Sequence, residues 1–112
     1  MEHYWHWTRR MTYTVGVKHI AEQAGAYWLI DAVASHLTNP AAKREEFQHW
    51  ILTVNPDKSA VLSMNDGNDE TKPLIVQHIE FTDYPEARCE FYVVLSPGGS
   101  GTVPLMLQPC EY

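Results

Sequence analysis

Apolar and polar positions change their period near the middle of the chain. From Val15 onward, Val17, Ile20, Ala21 and Ala24 recur at spacings of three and four, which is the pattern of one helical face. Thr14 stands where an N-cap residue belongs. Gly25 interrupts the run, at about 1 kcal/mol relative to alanine if the helix continues. Trp28, Leu29, Ala32, Val33 and Leu37 then resume it. The pattern predicts one kinked helix or two abutting ones, ended at Asn39-Pro40 because a residue before proline is pushed out of the helical region. Ala41 to Glu46 adds one further turn.

Beyond residue 46 the period drops to two. In Phe47 to Val54 the set Trp50, Leu52, Val54 alternates with His49, Ile51, Thr53, and the aromatic and β-branched content favours a strand. Asn55-Pro56-Asp57-Lys58 is a turn with proline at its second position. Ser59 to Met64 forms the returning strand, closed by Asn65-Asp66-Gly67-Asn68, whose residues tolerate positive φ. A third strand runs from Leu74 to Phe81, with Ile75, Ile79 and Phe81 on one face and Val76, His78 and Glu80 on the other. Asp83-Tyr84-Pro85 breaks it. Phe91 to Leu95 is a fourth strand, Ser96 to Gly101 a glycine-rich hairpin loop, and Val103 to Leu107 a fifth strand, assigned to a sheet edge by Pro104. Helices followed by strands joined through short turns predict an α+β fold: an N-terminal helix or kinked helix pair packed on one face of a four- to five-stranded antiparallel meander.

Composition fits this picture. The 112 residues, 45% apolar with four Trp, six Tyr and three Phe, make one domain with one core. Residues 1–12 form an aromatic arm expected to dock, 14–46 the helical part and 47–112 the antiparallel sheet. No apolar run approaches the roughly 20 residues of a membrane-spanning helix. The segment from Met1 to His6 lacks the apolar stretch of a signal peptide, which places the protein in the cytoplasm with no membrane partner. Cys89 and Cys110 are read as reduced thiols there, a disulfide joining the last strands being the alternative.

Chemistry-bearing residues are present without a catalytic signature. His3-x-x-His6 is half a metal site that lacks further ligands at useful spacing. Glu45-Glu46 followed by His49 pairs carboxylate and imidazole types on a solvated edge. Asp66-Gly67-Asn68-Asp69-Glu70 has calcium-binding residue types, but its glycine comes too early for the twelve-residue loop, so turn chemistry explains it. Ser96 to Gly101 lacks the lysine and the strand-to-helix context of a phosphate cradle. No metal and no cofactor is expected. Asp31, within an apolar helix and beside Tyr27 and Ser35, needs a donor; bonding the N-terminal arm is the structural reading, and catalysis with a histidine the alternative.

Charge adds the one directional signal. Residues 1–44 carry a net +2 and residues 45–112 a net −8. Asp57, Asp66, Asp69, Glu70, Glu80, Asp83, Glu86 and Glu90 fall on turns and strands of the sheet, where alternation gathers several on one exposed surface. Such a surface is either a solvated face or a substitute for phosphates in a basic groove. Direct nucleic-acid binding is excluded, because Arg9, Arg10, Lys18, Lys43 and Arg44 are too few and too scattered for a basic track.

The run from Tyr13 to His36, with its Gly-Ala-Tyr-Trp-Leu-Ile-Asp core, resembles the signature of a family of small uncharacterised bacterial proteins found on plasmids and in phages. Phe47 to Val54, Asp66-Gly67-Asn68, Ile79 to Pro85 and Glu111-Tyr112 are similar to the family's later blocks, in the same order. The chain departs from them at Gln108-Pro109-Cys110, where Leu-Pro-Ser is more usual. The resemblance carries no activity to any residue; it implies a setting in mobile genetic elements. With the acidic surface, that setting leads us to expect an inhibitor of the anti-CRISPR type, a monomer or homodimer that blocks a basic nucleic-acid channel of a bacterial defence protein. The alternatives are a sponge for a nucleotide signal and a small enzyme using Asp31.

Overall fold

A computed structural model describes residues 3–98 and 101–112. Among them, seven strands form one mixed sheet, and three α-helices lie on one of its faces. β1 (His3–Trp5) and β2 (Thr12–Thr14) precede α1 (Val15–Ala24), α2 (Tyr27–His36) and α3 (Pro40–Lys43). Then come β3 (Phe47–Val54), β4 (Ala60–Asn65), β5 (Ile75–Ile79), β6 (Arg88–Gly98), β7 (Gly101–Leu107) and a final 3-10 turn (Pro109–Glu111). The strand order is β1-β2-β7-β6-β3-β4-β5.

This overturns the expected four- to five-stranded antiparallel meander with its helices at the N-terminus. The arm supplies two strands of its own, with Tyr4 paired to Tyr13 and their rings 5.8 Å apart. Three-residue strands are too short to display a period of two, so the sequence pattern passes over them. β2 runs parallel to β7, which mixes the sheet. The meander also breaks after β5: residues 80–87 carry the chain back past β4, and β6 pairs with the far side of β3. Pro104 does not mark an edge, because β7 lies between β2 and β6. β2 pairs only with Leu105 and Met106 there, so the missing proline N–H falls just beyond the shared ladder. The expected Ser96 to Gly101 loop is replaced by strand residues up to Gly98 and from Gly101; its central residues 99 and 100 lie outside the described residues.

Local chemistry sets the helix ends. Thr14 Oγ1 accepts the Val17 N–H at 3.3 Å and caps α1. Gly25, at φ 62°, closes α1 in the left-handed conformation and donates to the Ala21 carbonyl. The break turns α2 so that Leu29, Ile30, Val33 and Ala34 are buried. Asn39 caps α3 through the Ala41 N–H, with Pro40 in the first turn.

The core lies between helices and sheet. Trp50, Leu52, Leu62, Met64, Phe91, Val93 and Met106 meet Val17, Ala21, Leu29 and Val33; each large side chain so buried contributes about 1.5–3 kcal/mol. Trp50 is paired rather than stranded: its indole N–H donates to Gln48 Oε1 at 2.9 Å, and Gln48 Nε2 donates to the Ala42 carbonyl. The other sheet face carries His49, Ile51 and Thr53 opposite Tyr92, Glu90 and Arg88. It faces away from the helices.

Candidate partner-binding surface

The eight carboxylates singled out by the charge pattern separate into three groups. Asp57 sits in the β3–β4 turn, where its Oδ1 accepts from the Ser59 N–H at 2.9 Å and the Ser59 hydroxyl at 2.6 Å. Those bonds hold its carboxyl below the usual range. Glu80 follows β5, and Asp83 and Glu86 lie on the connection to β6; all are exposed. Thr82 N donates to the Lys58 carbonyl at 2.8 Å, and Val54 N to the Ala87 carbonyl at 2.8 Å. These bonds pin the connection to the β3–β4 turn, so Asp57, Glu80, Asp83 and Glu86 share one end of the sheet.

Asp66 and Asp69 lie beyond the opposite end of β4 and β5. Asp66 Oδ1 accepts the Asn68 N–H, and Asp69 Oδ1 accepts the Thr71 N–H and hydroxyl, which lowers the Asp69 pKa. The calcium-like residues are thus turn-formers.

Glu70 and Glu90 make the third group, on the open sheet face. The 66–74 connection folds back over that face so that Glu70 Oε2 accepts from Arg88 Nη2 at 2.8 Å. Arg88 Nε lies 3.4 Å from Glu90 Oε2, and His49 Nε2 donates to Glu90 Oε1 at 2.7 Å. The guanidinium holds the Glu90 carboxyl below its ordinary value. His49, Glu70 and Glu90 bring ligand atoms within 4.8 Å of one another, a donor set suited to a divalent cation. Arg88 already bridges both carboxylates, so a cation there has to displace it. His49 therefore partners Glu90, 41 residues on, and not Glu45 or Glu46. No sequence spacing signals this: it arises because His49 and Glu90 occupy the same face of neighbouring strands. Beside it, Phe47, Tyr92 and Tyr112 form a ring cluster with centroids 4.8–5.5 Å apart.

Asp31 joins the arm to α2. Its Oδ1 accepts from His6 Nε2 at 2.6 Å and from the Trp7 indole N–H at 3.1 Å. The Thr8 N–H donates to His6 Nδ1, and the Thr8 hydroxyl lies 2.8 Å from the same nitrogen. Nδ1 is thus the acceptor, and Nε2 carries the proton shared with Asp31. Hydroxyl, imidazole and carboxylate stand in the order of a nucleophilic relay. Cys89 and Cys110 are free thiols. Among the described residues no helix is long and apolar enough to cross a membrane.

The model of a family of unknown function (DUF6876) matches residues 1–112. The chain belongs to that family. No curated protein and no solved structure matches the chain. In this DUF6876 member the Gly-Ala-Tyr-Trp-Leu-Ile-Asp run is a fold device: Gly25 caps α1, Ala26, Leu29 and Ile30 are buried, and Asp31 anchors the arm.

Proposed function

We propose that the chain works by stoichiometric protein binding, as an inhibitor carried by plasmids or phages that blocks a basic nucleic-acid-binding channel of a bacterial defence protein in the anti-CRISPR manner. The observation that carries this reading is the end of the sheet holding Asp57, Glu80, Asp83 and Glu86. All four are exposed and make no ion pair among the described residues. Their backbone is held by the bonds at Thr82 and Val54, so little ordering entropy is lost when a basic partner arrives. Asp66 and Asp69 extend the surface at the far end, whereas Glu70 and Glu90 are occupied by Arg88 and leave the binding set.

Capture of a partner from a bacterial lysate at low and high salt tests this. Retention at low salt and release at high salt is expected. Neutralising all four residues (Asp57→Asn, Glu80→Gln, Asp83→Asn, Glu86→Gln) weakens binding at least about tenfold and flattens the salt dependence. Undiminished inhibition by the quadruple variant refutes the mechanism.

A second reading, a small hydrolase, is favoured by the Thr8, His6 and Asp31 relay. It requires esterase turnover that falls by orders of magnitude in Asp31→Asn; turnover absent from the parent, or equal in a folded variant, removes it.

A further inference from the structure

Residues 80–87, which carry the chain from β5 to β6, also pack toward α1. Tyr84 is buried, and Ile20 and Ala24 of α1 are partly buried against the same core. The segment is held along its length: Thr82 Oγ1 accepts the Tyr84 N–H at 3.1 Å, the Thr82 N–H donates to the Lys58 carbonyl, and the Ala87 carbonyl accepts from Val54. Pro85 has its φ fixed by its ring. Between this segment and α1 lies a cleft of about 190 Å³.

Size and lining limit what can enter. A cavity of about 150 Å³ holds a benzene ring, whereas drug-sized ligands and cofactors take about 300–1,000 Å³. The cleft therefore accepts one side chain and not a nucleotide. Its more buried lining is apolar, from Ile20, Ala24 and Tyr84, with Pro85 as an exposed apolar wall; Gln23, His19 and the Glu86 carboxylate are exposed at the rim. Neither lysine nor arginine lines it, and Glu86 makes no ion pair among the described residues. Apolar walls with one free carboxylate at the mouth complement a side chain with an apolar stem and a cationic head. Arginine suits this better than lysine, because its guanidinium is more weakly hydrated and binds a carboxylate through two parallel N–H bonds, with a further N–H left for the Gln23 amide oxygen. Two more open hollows flank the cleft and share Tyr84 and Glu86 with it, which leaves room for the chain on either side of that residue. We infer that this cleft is a socket for one arginine side chain of a basic protein partner, paired with Glu86 and lying with its stem on Ile20, Tyr84 and Pro85.

The socket rests on the partner-binding reading of the acidic sheet end and deepens it. Asp57, Glu80 and Asp83 attract a basic surface over a distance, which sets the rate of encounter. The cleft selects the residue that anchors the partner, since a buried arginine in a preformed pocket is the kind of contact that carries binding energy.

Titration of the ¹⁵N-labelled protein with a capped tri-arginine peptide, read by amide chemical shifts, tests the socket, with tri-lysine and tri-citrulline peptides for comparison. Saturable shifts at Ile20, Gln23, Ala24, Tyr84 and Glu86 are expected with arginine, weaker binding with lysine and none with citrulline. Glu86→Gln weakens the arginine peptide about tenfold. Ala24→Leu, which fills the cleft and leaves the charge unchanged, removes the shifts, its fold being verified by the dispersion of the remaining spectrum; Glu86→Gln, an exposed change, decides the matter should that variant not fold. Absence of saturable shifts at these residues in the parent overturns the socket. So does a lysine peptide that binds as tightly, a Glu86→Gln variant that binds like the parent, or a folded Ala24→Leu variant that responds as the parent does. A partner captured from lysate while the arginine peptide leaves the cleft untouched sinks the socket alone, whereas an arginine-specific response with no captured partner upholds the socket and counts against the wider reading.

Discussion

Gly67 opens the β4–β5 connection that carries Glu70 back over the sheet, and its replacement by alanine separates two physical costs. The residue has φ +91°, a conformation in which an L side chain loses about 1–2 kcal/mol. An added Cβ would also stand 2.8 Å from Phe47 Cε1 and 2.9 Å from Cδ1, closer than carbon atoms approach. The Phe47 ring cannot simply swing aside, because Tyr92 and Tyr112 lie with centroids 4.8 and 5.5 Å away. Relieving such overpacking costs about 1–3 kcal/mol. Together the terms predict a loss of about 2–5 kcal/mol for Gly67→Ala, or a fall in Tm of about 8–20 °C for a domain of this size. Urea and thermal unfolding followed by tryptophan fluorescence read it directly, Trp50 being fully buried. Phe47→Leu supplies the control, since leucine lacks the ring atoms that clash. In that background the alanine should cost only the backbone share, leaving a coupling of about 1–3 kcal/mol in the double-mutant cycle. A Gly67→Ala cost within about 0.5 kcal/mol of zero, or an equal cost in both backgrounds, refutes the reasoning.

Two further outcomes are expected. Glu90 has its folded pKa lowered from 4.5, first by the bond from Arg88, and Asp57 and Asp69 are lowered by Ser59 and Thr71. Their stabilisation is therefore complete above the unfolded carboxylate range and is lost as pH falls through the folded values. The urea midpoint should drop on the acid side of pH 4.5, and Glu90→Gln should make that drop shallower; an unchanged acid slope in the variant contradicts the assignment. The thiols should react in order: Cys110 is exposed, whereas burial pushes the Cys89 thiol up. One fast equivalent of a disulfide reagent at neutral pH, lost in Cys110→Ser, with the second released only by urea, is the expected trace; two fast equivalents are not compatible with it.

Part of this fold was legible because it is written in local signals. β3 runs from Phe47 to Val54 as the alternation there predicts, since an eight-residue strand with one buried face shows its period. Gly25 was visible as an interruption, and the structure gives it the left-handed φ that only glycine adopts freely. What escaped was long-range. β1 and β2 are held by pairing with each other and with β7, which lies over ninety residues later in the chain, and no local pattern encodes such a partner. The same holds for β6, which joins β3 instead of its neighbour in sequence because residues 80–87, with Tyr84 buried, bridge the sheet end.

The charge pattern was legible in amount and not in arrangement, and the reason lies in the cations. Asp57 and Asp69 bond two residues ahead, to Ser59 and Thr71, a relation readable from an aspartate followed by a hydroxyl residue. Glu70 and Glu90 are bridged by one arginine that sits eighteen residues from the first and two from the second; only the folded connection brings all three together. A net of −8 over residues 45–112 already subtracts Arg88; what it does not tell is that this cation stands between Glu70 and Glu90. The groups left over, Asp57, Asp66, Asp69, Glu80, Asp83 and Glu86, are those on turns and connections beyond the strand ends, and none of them makes an ion pair among the described residues. An exposed carboxylate beyond a ladder's end stays free for a partner, whereas one within the ladder is within reach of its neighbours on both sides. By that logic the end of the sheet proposed to bind is fixed by where β3, β4 and β5 stop.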